Sequence, residues 1–259
     1  MRFDVITLFP ELFTPFLTSG VTRRAYESGL VEIKFWNPRD FADGSYRRVD
    51  DRPFGGGPGM VMLAAPLALC LSAICVDRAS VGDPVVLFSP VGDVLTHHGV
   101  EGWSSSKGAV LICGRYEGID QRFIDKYVTH QISLGDFVLS GGEIAAMALL
   151  DAVARLQPGV LNDEGSHQQD SFNPALDGLL DCPHYTRPEA WQGQTVSAVL
   201  MSGNHASIDI WRREQRLSLT RQRRPELIQK ARTAGQLTVK DEVFLATLAV
   251  NATQKTELL

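Results

Sequence analysis

Residues 135–159 read GDFVLSGGEIAAMALLDAVARLQPG, which places three glycines around a short apolar run ahead of a segment rich in alanine and leucine. The pattern predicts a loop that leads into a helix over 143–156, ended before Pro158. Glycines let backbone N–H and C=O groups approach a ligand closely. The stretch is therefore a phosphate-binding loop, a loop for another ligand, or only a tight turn.

Strand and helix patterns alternate on the N-terminal side of this stretch. This alternation predicts an α/β fold with a mostly parallel sheet and helices on its faces. Apolar runs rich in β-branched residues predict strands over 3–8, 31–36, 85–89, 109–113 and 130–134. Helical patterns cover 21–28, 66–76, 96–103, 119–127 and 143–156.

Composition limits the class of protein. The 259 residues are 44% hydrophobic, enough for one large core with a small second domain. A net charge of -5 argues against a protein that binds nucleic acid over its whole surface, but leaves a local basic patch open. The four cysteines lack metal spacing and are expected to be buried and reduced, and the N-terminus lacks a signal peptide, so a cytoplasmic location is expected.

One uncharged run, residues 60–76, raises the question of a membrane span. The run is short for a bilayer and Pro66 divides it, so a buried helix is expected and no membrane association.

The composition changes after residue 160 and predicts three parts. Residues 1–160 form the sheet domain, the polar stretch 161–175 a flexible linker, and 176–259 a small helical domain. In the last part, Asn204 is expected to cap one helix and Pro225 to start the next.

The glycine loops do not match the two common nucleotide motifs. Neither GxGxxG nor GxxxxGK[ST] follows a predicted strand. Instead, FSPVGD (88–93), CGRYEGID (113–120) and SLGDFVLSGGE (133–143) follow three strands, where open α/β sheets bind ligands. Arg115 is the only basic residue among them, so backbone groups facing an adenine or a ribose fit better than a polyphosphate site. Three tight turns without a ligand are the alternative.

Five motifs in this order, GRYEGID, GDFVLSGGE, DSF, DCPHYTRP and VLMSGNH, resemble the bacterial tRNA (guanine-N1)-methyltransferases of the TrmD type in the SPOUT superfamily. The resemblance runs from FDVITLFPELF (3–13) to RRPEL (223–227). It implies a deep trefoil knot in the sheet domain, a homodimer whose active sites are shared between subunits, and S-adenosylmethionine as cofactor. The implied reaction methylates N1 of the tRNA guanosine at position 37, next to the anticodon, when a guanosine precedes it.

The resemblance also implies which loop residues contact the cofactor: Pro90, Gly114, Tyr116, Glu117, Leu134, Gly135, Asp136, Phe137, Val138, Leu139, Gly141 and Gly142. A magnesium requirement is reported for the family, and Glu117 is the candidate residue for binding the ion. The six histidines show no ligand spacing such as HExxH, so no protein-bound catalytic metal is expected.

Methylation of guanine N1 requires removal of the N1 proton and stabilisation of charge on the base oxygen. The resemblance assigns removal of the proton to Asp170 of the DSF motif and stabilisation of the charge to Arg155. From the sequence alone, an aspartate in a polar linker, such as Asp170, is usually only solubilising, and Arg155 is spaced for a helix ion pair with Asp151. His167 is the local rival for the base.

Two basic segments predict contacts to RNA. Residues 210–232 hold eight basic and two acidic side chains, a local excess of +6, and residues 45–60 combine arginines with a glycine loop. The alternatives are a solvated helix face and a structural turn. The residues expected to contact RNA are Arg48, Arg52, Gly57, Arg187, Arg212, Arg221, Arg223 and Arg224.

Two other functions compete with this one. A ribose or ribosomal RNA methyltransferase of the same superfamily would lack the DSF base, and a non-catalytic RNA-binding protein would not need a site for S-adenosylmethionine.

Overall fold

The computed structural model describes residues 1–162, 165 and 167–256, with side chains described up to residue 248. The chain divides into two compact units, Met1–Asn162 (unit 1) and Asp163–Leu259 (unit 2). Residues 163, 164 and 166 of the expected linker lie outside the described residues.

Unit 1 contains the predicted α/β sheet. Its strands are β1 (Arg2–Ile6), β2 (Glu32–Trp36), β3 (Asp50–Asp51), β4 (Val61–Met62), β5 (Val85–Val94), β6 (Gly108–Ile112) and β7 (His130–Ser133). Its helices are α1 (Thr14–Thr18), α2 (Arg23–Glu27), α3 (Ala64–Arg78), α4 (His97–Ser104), α5 (Gln121–Tyr127) and α6 (Glu143–Arg155), with short 3-10 helices at Pro10–Phe13 and Pro38–Phe41.

Five strands form one parallel sheet in the order β2-β1-β6-β5-β7, which confirms the predicted parallel sheet. Strand β5 was expected to end at residue 89, but it continues to Val94. Its pairing with β7 shifts register between Phe88 and Asp93. The shift lies around Pro90, which lacks the N–H needed for the ladder.

Hydrophobic side chains cover both faces of this sheet. Phe3 and Val5 of β1 pack with α6 on one face, whereas Ile6 packs with α3 and α5 on the other, as the alternation of side chains along a strand requires. Helix α3 buries five side chains of the uncharged run 60–76, as expected, although it begins two residues earlier than predicted. Among the residues that the structure describes, no helix has the length and apolar character to cross a membrane.

A fully buried carboxylate joins β1 to its neighbours. Asp4 accepts hydrogen bonds from Arg2 Nη2, Arg78 Nη1 and Trp36 Nε1, each at 2.7 Å. Two arginines therefore compensate its charge, as a buried ion requires. Arg78 links β1 to α3, and Trp36 links it to β2.

Unit 2 is mainly helical. It contains 3-10 helices at His167–Gln169 and Pro174–Leu176, the hairpin β8 (Ala190–Trp191) and β9 (Gln194–Thr195), and helices α7 (Ala198–Met201), α8 (His205–Arg223), α9 (Pro225–Thr233) and α10 (Val239–Thr256). Asn204 caps α8 by accepting a hydrogen bond from Ser207 N, and Pro225 begins α9, both as predicted. A small core holds Leu179, Leu217, Ile228, Ala231 and Leu245.

Candidate functional site

A cavity of about 430 Å³ opens at the carboxyl ends of β5, β6 and β7. The three glycine-containing loops form its walls, because parallel strands deliver their following loops to one edge of the sheet. Ten of the twelve expected cofactor residues line it, namely Pro90, Gly114, Tyr116, Glu117, Leu134, Phe137, Val138, Leu139, Gly141 and Gly142. Gly135 and Asp136 are not among the lining residues: the hydrogen bonds of Gly135 with the Ser133 hydroxyl turn this part of the loop back on β7.

The sequence reasoning missed the apolar wall opposite the glycines. Ile119, two residues before α5, and Ile124, within α5, line the cavity together with Leu87 of β5. The sequence shows only a helical pattern over 119–127 and assigns neither isoleucine a role, and Ile119 is 8% exposed. The signal that would have found them is their position directly after the GRYEG loop.

Glycine is required where two of the loops meet. Gly142 N donates to Gly114 O at 3.0 Å, and Arg115 forms a backbone bridge with Gly141. A Cβ at Gly142 would lie 2.8 Å from Cys113 Cα, which is closer than real side chains come. The close approach of the two backbones therefore depends on the absence of a side chain at this position.

The only basic side chain of the three loops is neutralised by an ion pair. Arg115 Nε lies 2.9 Å from Glu143 Oε2, and the Glu143 carboxylate, 1% exposed, also accepts from Thr7 Oγ1 at 2.9 Å. Arg115 further donates to Ser140 O and lies over the ring of Phe9. Its charge is committed to the protein, so the cavity offers no cation from these loops for a polyphosphate.

The glycine segment 55–59 lies beside this cavity. Backbone hydrogen bonds join Met62 N to Gly118 O at 2.9 Å and Glu117 N to Met60 O at 3.0 Å. A Cβ on Gly59 would lie 2.8 Å from Glu117 Cδ. The 45–60 segment, expected to contact RNA, is thus attached to the wall that carries Tyr116 and Glu117.

Tyr116 connects the cavity to the same segment. It adopts a left-handed backbone conformation, with φ of 62°. Burial raises the pKa of its phenol, and the nearby Asp50 raises it further against the opposing effect of Arg39. The phenol therefore stays protonated at neutral pH, and its interaction with Asp50 ties the cavity wall to the 45–60 segment.

Exposed side chains of residues 45–60 are available for contact with RNA. Tyr46 is 92% and Phe54 100% exposed, Arg52 is exposed, and Arg48 makes an exposed contact with Asp51 at 3.5 Å. Gly57 has φ of 121°, a conformation that strains other residues.

All four cysteines are free thiols and form no disulfide. Cys70, Cys113 and Cys182 are buried, whereas Cys75, also expected to be buried, is half-buried. Burial raises the pKa of the Cys113 thiol well above its ordinary value, and the Glu143 carboxylate adds to this effect. A neutral thiol is a poor nucleophile, so Cys113 contributes to the packing of the hydrophobic core rather than to chemistry.

The two expected catalytic residues fall in different units. Arg155 is the last residue of α6 in unit 1. Asp170, half-buried in unit 2, follows the 3-10 turn that contains His167 and donates its backbone N–H to His167 O at 3.3 Å. Asn173 Nδ2 donates to the same carbonyl at 2.9 Å, so a hydrogen-bonded turn carries both candidate bases.

The basic segment 210–232 is less available than its sequence suggests. Arg213 pairs with Asp177 and Asp241, Arg216 with Asp181, and Arg232 with Glu242. These four acids lie outside the segment, so the excess of +6 overstates its free positive charge.

The arginines of unit 2 expected to bind RNA differ in their surroundings. Arg187 and Arg223 are exposed, and Arg212 makes only a 4.0 Å contact with Asp209. Arg221 Nη1 donates to Leu245 O at 2.5 Å, while Arg224 pairs with Glu226 and lies over the Phe172 ring. Arg187, Arg212 and Arg223 are therefore the most available, and Arg221 also joins α8 to α10.

Across the described part of the chain, one group of side chains has the types and spacing to hold a metal ion: Asp181, Cys182 and His184, whose ligand atoms lie within 4.8 Å of one another. Asp181 is already bonded to His184 and to Cys182 N, at 2.8 and 2.7 Å. Burial raises the pKa of the Cys182 thiol, which opposes the thiolate that a metal needs. The group does not fit Mg²⁺, which prefers oxygen ligands.

Comparison with known proteins gives one consistent family. The family model described as tRNA (Guanine-1)-methyltransferase TrmD matches residues 1–230. Relatives named tRNA (guanine-N(1)-)-methyltransferase include those of Polaromonas sp. strain JS666, 75% identical over 98% of this chain and 99% of the relative, and of Bordetella pertussis, 58% identical over 96% and 98%. A third, from Albidiferax ferrireducens, is 72% identical over 95% of this chain and 99% of the relative. The chain belongs to the TrmD family of tRNA (guanine-1)-methyltransferases.

Proposed function

We propose that the protein transfers a methyl group from S-adenosylmethionine to N1 of the guanosine at position 37 of tRNA, next to the anticodon. The observation that carries the proposal is the cavity of about 430 Å³ walled by loops whose motifs are those of the family. The lining of the cavity, glycine backbone and apolar side chains, suits the cofactor of the family's reaction. The pairing of Arg115 with Glu143 argues against a phosphate-transferring enzyme.

The residues of the cavity fit S-adenosylmethionine. Backbone groups of Gly114, Gly141 and Gly142 can approach a purine or ribose closely, and Ile119 and Ile124 supply an apolar wall. The sulfonium is itself cationic, and the neutralised Arg115 does not repel it. The loop residues expected from the sequence would hold the cofactor, with Gly135 and Asp136 acting through loop conformation.

The reaction requires little of the protein beyond alignment and proton transfer. The sulfonium supplies an electrophilic methyl group. The Asp170 carboxylate accepts the N1 proton of guanine, and the Arg155 guanidinium stabilises the negative charge that develops on the base oxygen. The 45–60 segment, attached to the cavity wall at Glu117, receives the target base.

We propose that two copies of the chain share each active site. Arg155 and Asp170 belong to different units. Val91, Phe137 and Val138 at the cavity are 81%, 54% and 85% exposed, an apolar surface that a second copy would cover. Asp170 of one subunit then acts at the cavity of its partner.

We also propose the deep trefoil knot of the superfamily for unit 1. The hydrogen bond from Gly142 N to Gly114 O and the bridge between Arg115 and Gly141 support it, because they join the two loops through which the knotted chain would pass.

The proposed division of labour follows the three predicted parts. Residues 1–160 bind the cofactor and carry the chemistry, 161–175 link the domains, and 176–259 bind tRNA in the cytoplasm through exposed arginines. A tRNA with a guanosine before the target guanosine is the proposed substrate.

A magnesium requirement is a separate part of the proposal. Mg²⁺ usually binds through one or two carboxylates together with substrate phosphates. Glu117 is exposed at the cavity, so it would hold the ion together with RNA. Equal activity in EDTA and in magnesium would contradict the magnesium requirement and leave the rest of the proposal unchanged.

Labelled S-adenosylmethionine and tRNA transcripts that differ only at positions 36 and 37 test the function. The labelled methyl group should be transferred to the transcript that has guanosine at both positions. Alkaline hydrolysis of the product should show that the methyl group is on the base. Equal labelling when position 37 is adenosine, or label on a ribose, would favour another methyltransferase of the superfamily.

A further inference from the structure

A second cavity, of about 540 Å³, lies within unit 2. The chain around residues 182–189, helix α7 and the first half of α8 form its walls. Its volume falls in the range of roughly 300–1,000 Å³ that is usual for small-ligand pockets. None of the proposed catalytic or cofactor residues lines it, so it needs an explanation of its own.

Two aromatic rings form one side of this cavity. The ring centroids of Tyr185 and Trp211 lie 6.1 Å apart with the planes at 62°, so the rings meet edge to face. In this arrangement the ring that presents its edge keeps both of its faces uncovered by the other ring, unlike in parallel stacking. Tyr185 is 55% exposed, and flat exposed rings of this kind are surfaces on which unpaired bases stack.

Positive charge borders the rings. Arg187 and Arg212 line the cavity, against a single acidic residue, Glu189. Arg187 is exposed. Arg212 is held only weakly by Asp209, because the two charges lie 4.0 Å apart and both side chains are accessible to solvent. A ligand that combines a flat aromatic group with a negative charge matches this lining, and a nucleotide is such a ligand.

The wall that carries Tyr185 and Arg187 is held in place on α8. Asp181 accepts hydrogen bonds from Arg216 Nε at 3.4 Å and from His184 at 2.8 Å. Leu180 N donates to Thr220 Oγ1 at 3.0 Å. The cavity is therefore shaped before a ligand arrives, which reduces the entropy cost of binding.

We propose that this cavity receives one unpaired nucleotide of the RNA, with its base against Tyr185 and Trp211 and its phosphate at Arg187 and Arg212. The proposal rests on the proposed function for the identity of the RNA. The nucleotide is distinct from the target guanosine, which must reach the cofactor cavity of unit 1.

The test uses the full-length protein and tRNA transcripts that carry 2-aminopurine at one unpaired position at a time. The fluorescence of 2-aminopurine is quenched when the base stacks on an aromatic ring. One position should be quenched by the parent protein and not by Tyr185→Leu. That variant should also bind tRNA about 5- to 100-fold more weakly, the usual loss for a base-stacking residue, with methyl transfer at saturating tRNA within a few-fold of the parent.

Trp191→Leu is the matched control, because Trp191 is 64% exposed on β8 and does not line the cavity. It should leave quenching and affinity unchanged. Arg187→Gln is a second variant that removes no packing, and it should weaken tRNA binding and lower its salt dependence.

Two results would overturn the proposal. In the first, the parent methylates tRNA, but Tyr185→Leu and Arg187→Gln bind tRNA and quench 2-aminopurine as strongly as the parent does. This result would leave the proposed function intact. The other is a change in oligomeric state in these variants without a change in quenching, which would assign the cavity to a second copy of the chain. Absence of methyl transfer by the parent would contradict the proposed function instead.

Discussion

Glu143 carries a negative charge into the interior of unit 1, and its partners hold the cofactor loops in shape. Thr7 comes from the chain after β1, Arg115 from the loop after β6, and Glu143 itself begins α6. Sequence could predict that these loops cluster, since each follows a parallel strand. It could not pair Arg115 with Glu143, because residues 28 apart meet only when both loops are folded.

Gly141 lies against this ion pair, and its substitution tests the cavity. A Cβ there would lie 2.5 Å from Arg115 Cδ and 2.6 Å from Glu143 Oε2. We expect Gly141→Val to abolish S-adenosylmethionine binding, measured by calorimetry, in a protein that still shows a cooperative melting transition.

Gly102→Val is the matched control, because no atom lies near a Cβ at this helical glycine. It should bind the cofactor as the parent does. Parental affinity in Gly141→Val would exclude the loop from the site.

The identity of the base is decided by two residues of one turn, Asp170 and His167. Asp170→Asn keeps the shape of the side chain and removes its basicity. Single-turnover methyl transfer should fall by roughly 10² to 10⁴, the usual contribution of a positioned base, with little change in the affinities for tRNA and cofactor. His167→Ala should be nearly silent. The reverse pattern would assign the base to the histidine.

At the scale of helices and strands, long periodic patterns could be predicted and very short elements could not. The five sheet strands and five of the helices of unit 1 begin within two residues of their predicted positions, although β5 continues to Val94. The two-residue strands β3, β4, β8 and β9 gave no signal, because a period of two needs more residues to appear. The charge of α8 and α9 was overestimated because the compensating acids, such as Asp181 and Asp241, come from other elements.

Asp241 joins α8 to the first turn of α10 and predicts a pH dependence of stability. Burial by itself would raise its pKa, but hydrogen bonds from Arg213 and Thr238 outweigh this effect and lower the pKa to about 2. The carboxylate therefore stabilises the folded state above the unfolded pKa of about 3.9, and this contribution is lost as the pH falls toward 2.

Asp241→Asn should lower the free energy of unfolding by about 2 kcal/mol at pH 7, and the difference from the parent should shrink between pH 4 and pH 2. Denaturant titrations across this range measure it. A difference that stays constant with pH would show that the loss comes from packing rather than from the carboxylate charge.

Arg223, at the end of α8, tests whether the helical surface binds phosphate. Arg223→Glu should weaken tRNA binding and reduce the slope of log affinity against log salt by about one for each phosphate that the arginine neutralises in the parent. Arg23→Glu, on α2 and 52% exposed, is the control. An unchanged slope would show that this surface of α8 faces solvent and does not bind phosphate. Arg221 is unsuitable for this test, because its bond to Leu245 O also stabilises unit 2.

At the scale of the whole molecule, the proposed catalytic groups are divided between two units. Composition predicted a change near residue 160, where a polar stretch interrupts the apolar pattern. Unit 1 ends at Asn162 along the chain, and unit 2 follows it. No sequence pattern reports whether the groups of one active site come from one chain or two. That question belongs to the assembly and needs an experiment on mixed chains.

Mixing two inactive variants answers it. Arg155→Ala and Asp170→Asn each remove one proposed catalytic group, so homodimers of either should be nearly inactive. If each site takes Arg155 from one subunit and Asp170 from the other, a mixed dimer has one intact site and one doubly damaged site. Random exchange makes half of the dimers mixed, so about a quarter of the parental activity should return on co-refolding equal amounts. Native mass spectrometry of the mixture establishes that mixed dimers are present. Their presence without recovered activity would place Arg155 and Asp170 in the same subunit's site and contradict the shared arrangement.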